Sequence, residues 1–353
     1  MWGPRKKIAL AAVLVGVLLC SLTFRFVQGV KTELWEQSVN TIMESTRQGC
    51  NTLKVQLSDD YEDLGAAAEY ISTFSLDQKE ELGGILHNYA QTERGTSLYL
   101  PDGTCLPAGR QRDEAAEKAL QETDEDSGII NPHISSVSGV NVFDLFLKVR
   151  MSDGAEAYFL KEYEVDSIID TFTLSFYNDA GFSYVVNAQG DVLIRAPHPN
   201  SNKTVKNLFD MLSNSQNDPG YLETFAQSLR DSRTGWAVFI YQGEETVFCY
   251  TPLKLHSDWY LISIIPQAVV NAQTNEILNR SMALIGCIIL GISLLVMCYF
   301  RYANRTNKRL SNQANYIEHL YNAIPEGIAL ITAETPYRLI QLNREGLRLL
   351  GYQ

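Results

Sequence analysis

GFSYVVNAQGDVLIRAPHPN, residues 181 to 200, decides the fold. Phe182 to Asn187 and Asp191 to Arg195 flank the turn Ala188-Gln189-Gly190, which predicts a hairpin. Downstream, Trp236 to Tyr241 and Glu245 to Pro252 flank Gln242-Gly243, and Trp259 to Ile265 is a closing strand before Pro266. Helical patches lie in the polar stretch from His198 to Arg233 between the hairpins. The sum is an α+β module on an antiparallel sheet.

The same arrangement occurs upstream. Ser97 to Leu100 and Thr104 to Leu106 flank Pro101-Asp102-Gly103, a D-G turn. Val140 to Met151 and Ala155 to Tyr163 flank Asp153-Gly154 in a longer hairpin. Gln111 to Asp126, charged and Ala-rich, predicts a short surface helix or loop, and Val165 to Phe176 a connecting helix. Asn131-Pro132-His133 reads as a turn with His133 in solvent; His198, between two prolines, reads as structural.

From Lys31 to Thr73 the period is helical. Val39, Ile42, Thr46, Cys50, Leu53, Leu57, Tyr61, Leu64, Ala68 and Ile71 recur at steps of three and four, close to a coiled-coil seam. A helix of this length needs a partner along it. For the C-terminal half the expected partner is its own domain. For the N-terminal half, at Val39 and Ile42, it is the same helix of a second protomer, which implies a homodimer.

Two uncharged segments bracket this region: Ile8 to Phe24, 17 residues, and Ser281 to Phe300, 20 residues. A bilayer core needs about 20 apolar residues of helix, so both predict transmembrane helices. The alternative for the first is a cleaved signal peptide, but no A-x-A-like site follows it. Arg5, Lys6 and Lys7 precede the first span, and Arg301, Arg305, Lys308 and Arg309 follow the second. The positive-inside rule keeps both ends in the cytoplasm, giving a multi-pass protein of the inner (plasma) membrane. The intervening Gln28 to Arg280 carries 37 acidic and 18 basic residues, a net of −19. Such a surface repels nucleic acid.

Other chemistries find little support. Cys50, Cys105 and Cys249 are an odd set outside the spans, and no C-x-x-C occurs. Neither a G-x-S-x-G nucleophile nor an H-E-x-x-H metal pair is present. Catalytic residues, metal ligands and cofactors are therefore not expected in this chain.

The order of these elements, with GFSYVVNAQGDVLIRAPHPN, RTGWAVFIYQGEETVFCYTPL (Arg233 to Leu253) and DWYLISIIP (Asp258 to Pro266), resembles the double Cache (dCache) sensors of bacterial chemoreceptors, sensor kinases and diguanylate cyclases. The resemblance covers roughly residues 31 to 270. It implies a long helix and two PAS-like antiparallel-sheet modules between the transmembrane helices, with an extracellular small-molecule ligand in the distal module. In the amino-acid-binding branch that pocket uses a tyrosine, an arginine followed closely by Trp-Tyr, and a later aspartate. No R-x-W-Y lies between Gly83 and Asp170, which argues against α-amino-acid recognition. The later acidic position falls nearest Glu162, a candidate partner for a ligand ammonium. Tyr99, Phe143 and Tyr158 are candidate aromatic walls, and Arg150 a candidate carboxylate clamp.

Beyond the second span, Ala323-Ile324-Pro325-Glu326-Gly327-Ile328, Leu339 to Asn343 and the helix Asn343 to Tyr352 resemble the start of a PAS domain. Only 37 residues run from Ile317 to Gln353, fewer than that fold needs, so a fragment of a longer protein is expected. The expected division is a cytoplasmic N-terminus (1–7), a transmembrane helix (8–27), a long extracytoplasmic helix (28–75), a membrane-distal module (76–170) and a membrane-proximal module (171–270). A stalk with the second transmembrane helix (271–300), a linker helix (301–316) and the N-terminal part of a PAS domain (317–353) complete it. The expected function is a transmembrane signal receptor relaying to a PAS-linked output, a diguanylate cyclase or histidine kinase, that this chain does not contain. The alternative is an ectodomain that only mediates dimerisation or adhesion.

Overall fold

The computed structural model describes residues 4–172 and 180–351. It divides into two compact units, Met1–Leu278 and Asn279–Gln353.

The first unit is built along α1 (Pro4–Ile71), one continuous helix. A 3-10 turn at Leu76–Gln78 leads into α2 (Lys79–Thr92). Then follow β1 (Thr96–Tyr99), β2 (Cys105–Leu106), α3 (Glu114–Glu122), β3 (Ser127–Ile134), β4 (Asn141–Arg150), β5 (Glu156–Glu164) and α4 (Val165–Phe172). The expected connecting helix is seen as far as Phe172; its remainder lies outside the described residues. The second module has β6 (Phe182–Val186), β7 (Val192–Arg195), α5 (Leu208–Leu212), α6 (Pro219–Arg230), β8 (Gly235–Tyr241), β9 (Glu244–Pro252) and β10 (Tyr260–Pro266). The sheet orders are β2-β1-β5-β4-β3 and β7-β6-β10-β9-β8, one order used twice, with antiparallel pairing throughout.

Alternation along each strand gives every sheet two faces, and one face of each packs on α1. Leu53, Leu57 and Leu64 of the helix join Leu98, Phe143, Leu145 and Phe159 of the first sheet in one core. Val39 and Ile42 are buried with Val247, Cys249, Ile265 and Val270 of the second. Deep in that contact the buried Thr46 hydroxyl donates to Ser263 Oγ at 2.8 Å. The helical seam is therefore closed by the chain itself along both halves. Val39 and Ile42, expected to meet a second protomer, are covered by the second module, because a covalently tethered sheet fills the stripe first. The outward face of α1 near them is polar, with Glu33, Glu36 and Glu44.

Each sheet's other face is roofed by helices. Ala116 and Leu120 of α3 pack on Tyr99, Ile130, Phe146 and Leu160. Leu208 of α5 and Phe225 of α6 pack on Tyr184, Phe239, Phe248 and Ile262. The two modules share a core around Trp259, which is buried with Phe143 and Leu253.

Strand β3 corrects the expectation of a turn at Asn131-Pro132-His133. Pairing with β4 runs Ile129↔Leu145 and Ile130↔Asp144, then resumes at His133↔Val142, leaving two residues against one. Proline lacks the ladder donor and is tolerated only at a sheet edge or a bulge. Here it has both, since β3 is the edge strand. The bulge changes the parity, so Asn131 faces the α1 side and His133 the opposite side.

The second unit contains most of α7 (Gln267–Ala323), β11 (Ala329–Ile331), β12 (Leu339–Leu342) and α8 (Arg344–Leu349). Among the described residues α7 is the helix long and apolar enough to cross a membrane; its best 18-residue window has mean hydropathy 2.6 and none of it is buried. Asn343 organises the rest. Its Nδ2 donates to the carbonyls of Glu326 at 2.8 Å and Tyr321 at 3.2 Å, and its Oδ1 accepts from the amides of Ile328 and Gly346 at 2.9 Å. One side chain thus ties the end of α7 to β11 and caps α8.

Candidate functional site

On the face of the first sheet turned away from α1, strand parity collects Asp144 and Phe146 of β4 with Tyr158, Leu160 and Glu162 of β5. Tyr99 of β1 and Ile130 of β3 extend the same face. Asp144 and Glu162 are direct cross-strand partners, so two carboxyl groups stand side by side; like charges so placed repel.

Asp144 is the most deeply set, only 4% exposed. Its Oδ2 has no hydrogen-bond partner among the described residues. Burial, then the charges of Glu162 and Asp113, push its carboxyl well above the usual range. Glu162 is half-buried, and burial raises it also, against the attraction of Arg110. The backbone of Glu162 is held by Gly95, whose carbonyl accepts its N–H at 3.1 Å. Gly95 has φ +85°, and a Cβ there would sit 2.5 Å from the Glu162 carbonyl oxygen, so only glycine fits.

The floor is closed by Asp113 and His133. Asp113 Oδ1 caps α3, accepting from Ala115 N at 2.9 Å and Ala116 N at 3.0 Å. Its Oδ2 accepts from Ser136 N at 2.6 Å and Ser136 Oγ at 3.2 Å. Burial alone would raise this carboxyl, but donors from Ala116, Ser135 and Ser136, with His133, hold it below the ordinary value. The site therefore contains a fixed anion. His133 Nδ1 lies 3.1 Å from the Asn131 carbonyl, which makes it the protonated nitrogen. Its Nε2 lies 3.1 Å from Asp113 Oδ1 and 3.8 Å from Asp144 Oδ2, yet is buried without a hydrogen bond. His133 is thus enclosed in the site, not in solvent.

The aromatic wall is Tyr99, Phe146 and Tyr158. The Tyr99 hydroxyl accepts from Asp113 N at 2.9 Å, and the Arg112 guanidinium lies over its ring at 5.1 Å. Tyr158 meets Phe146 edge-on at 6.3 Å. A cleft of about 300 Å³ opens beside them between α3 and β3, lined by Ala119, Ile130, His133 and Phe146. A larger groove of about 380 Å³ between α1 and α2, lined by Tyr70, Ile85 and Tyr89, is mainly apolar. Its polar lining is Asp63, Thr92 and Glu93, and Glu93 is already paired with Lys161.

Of the sequence candidates, Glu162, Tyr99 and Tyr158 come together here. Phe143 and Arg150 do not. Phe143 lies on the α1 face, stacked on Tyr163 at 5.0 Å and tilted against Trp259 at 5.4 Å. Arg150 ends β4 with a side chain 76% exposed, paired with Glu156 at 3.0 Å. Asp144 and His133 were missed. An acid inside the apolar run Val142-Phe143-Asp144-Leu145-Phe146 was the available signal for the first. Pro132 disguised the second.

Behind the sheet, Lys161 is buried on the α1 face and donates to Asp60 and, at 2.8 Å, to Glu93. The Tyr163 hydroxyl also donates to Asp60. Asp60, Asp63 and Glu93 bring ligand oxygens within 4.8 Å of one another, but Lys161 already supplies positive charge there.

No family model matches the sequence, and no curated protein matches it. Solved structures do. The ligand-binding domain of the Pseudomonas fluorescens chemoreceptor CtaA, in complex with L-isoleucine, is 15% identical, with a TM-score of 0.53 over 69% of this chain and 98% of that one. An extracellular domain assigned to a histidine kinase, mmHK1S-Z3, is 12% identical, with a TM-score of 0.53 over 68% of this chain and 98% of that one. The first unit thus has the two-module fold of Cache-type sensor domains.

Proposed function

We propose that the chain is a transmembrane signal receptor whose first module binds a small extracellular molecule through an ammonium group. The observation that carries this reading is Asp144, a buried carboxyl with an unpartnered oxygen, flanked by Glu162 and by His133. A buried acceptor left unpaired costs free energy, and an ammonium offers three donors and no acceptor. Asp113, Asp144 and Glu162 outnumber Arg110 around this face, and the surplus of acids favours an ammonium.

In this reading both termini are cytoplasmic, and α1 and α7 cross the inner membrane. The first module is membrane-distal and the second membrane-proximal. Ligand shifts an equilibrium between two ectodomain states through differential affinity. The α7 helix passes the change to a PAS segment and on to a diguanylate cyclase or kinase output outside this chain. The receptor acts as a homodimer through surfaces of α1 and the spans other than Val39 and Ile42.

The test is a thermal-shift screen of the full chain in detergent against amines, amino acids, carboxylates, sugars and nucleobases. Amines should raise the melting temperature by mass action. Silence across all classes would sink the reading and favour an ectodomain that only dimerises.

A further inference from the structure

We propose that the first module exchanges a proton for its ligand: the paired carboxyl groups of Asp144 and Glu162 hold one proton between them when no amine is bound and release it to solvent when an ammonium takes its place. The proposal rests on the reading of this face as an amine site and adds how that site is regulated.

The geometry sets two acids side by side, one of them with a buried, unpartnered oxygen. Asp144 and Glu162 face each other across β4 and β5 on the enclosed side of the sheet. Asp144 is almost wholly buried, and a second carboxylate beside a buried one disfavours ionising both. The third acid, Asp113, cannot take the proton instead. Both of its oxygens already accept from Ala115, Ala116 and Ser136, which fixes it as an anion and adds to the negative field.

The neighbouring bases do not replace the proton. His133 Nδ1 donates to the Asn131 carbonyl, so a proton on Nε2 would make an imidazolium. Nε2 stands 3.1 Å from Asp113 Oδ1, so positive charge on the ring is answered by Asp113 and not by the Asp144–Glu162 pair. Nε2 stands farther from the pair, 3.8 Å from Asp144 Oδ2. Arg110, from the loop ahead of α3, acts on Glu162 but is itself exposed. Glu164, at the end of β5, adds further negative charge, and the Tyr99 hydroxyl is committed to Asp113 N.

The exchange balances. An alkylammonium enters with one positive charge, one carboxyl O–H bond breaks, and the proton leaves to buffer. The ammonium then donates to Asp144 and Glu162. Affinity must therefore depend on pH, weakening about tenfold per unit of acidification below the pair's titration.

Two measurements on the full chain in detergent decide it. Infrared spectroscopy of the ligand-free protein at neutral pH should show the carbonyl stretch of a buried protonated carboxylic acid, lost in Asp144→Asn. Titration calorimetry with ethylamine, 1,4-diaminobutane and phenethylamine, in two buffers of different ionisation enthalpy, should show about one proton released per amine bound. In Glu162→Gln the release should fall and the pH slope flatten. No protonated-acid band in ligand-free wild type overturns the proposal, whatever binds. Amine binding with no proton release overturns it while leaving the amine site standing. A band without binding of any of the three amines sinks both. Circular dichroism of each variant confirms that the sheets are intact.

Discussion

Asp144 faces Glu162 across β4 and β5 of the first sheet; in the second, Phe248 faces Ile264 across β9 and β10. Strand order and the helical roof are shared, and both pairs lie on the face turned from α1. The second sheet uses that face for an apolar core of Phe182, Tyr184, Phe248 and Ile264. The first interrupts its core with acids that the protein does not fully satisfy. A fold repeated twice thus separates two tasks. One module gains stability from this face, and the other gives some up for a poised polar site, as local violations of packing rules at functional positions lead one to expect.

The comparison can be broken by exchanging the characters of the two faces. Phe248→Asp puts an unpaired carboxylate into the second core and should cost on the order of 4 kcal/mol or more. Chemical denaturation should show a separate early transition of that module. If the variant is nearly as stable as wild type, the two faces are not as different as described.

The opposite face of the first sheet tests whether acids there are tolerated because they are balanced. Lys161→Ala strands Asp60 and Glu93 and should lower stability by roughly 1–3 kcal/mol, read from the denaturation midpoint. An unchanged midpoint would mean solvent already screens the cluster. Asp113→Ala removes the cap of α3 and should cost about 1 kcal/mol. Faster amide exchange in the first turn of α3 would locate the loss; uniform exchange would refute it.

The smallest effect has the opposite sign. Asp144 has a folded-state pKa raised above the unfolded value, so its contribution is complete below the unfolded value, about 3.9. It is lost as pH rises through the folded one. Asp144→Asn keeps the shape without the charge. It should stabilise the ligand-free protein by about 1 kcal/mol near neutrality and flatten its pH dependence. A variant less stable than wild type at neutral pH would show that Asp144 is already satisfied.

Much of the architecture was legible because periods of two and of three to four survive in the residues. The second module's strands fall within a residue or two of expectation, since each turn carries a glycine at positive φ, as at Gly190 and Gly243. The helical seam from Val39 to Ile71 was visible, but its partner was not, because periodicity identifies a buried stripe without saying what buries it. The site was only partly visible. Glu162 and Tyr158 come from strand positions of known parity. His133 depends on a bulge that reverses parity, and Phe143 shares a strand with Asp144 but is one residue out of phase with the site. Arg150 lies too far along β4 to face it.

That bulge has a mechanical consequence. Across Pro132, His133 meets the acids while Asn131 accepts the indole N–H of Trp259 at 2.9 Å. Trp259 immediately precedes β10, which runs directly into α7. Just before the bulge, the Gly128 carbonyl is held by the Tyr61 hydroxyl of α1. A single edge strand therefore works like a rocker arm: one end rests on the acidic site, and its pivots bear on α1 through Tyr61 and on the second module through Trp259.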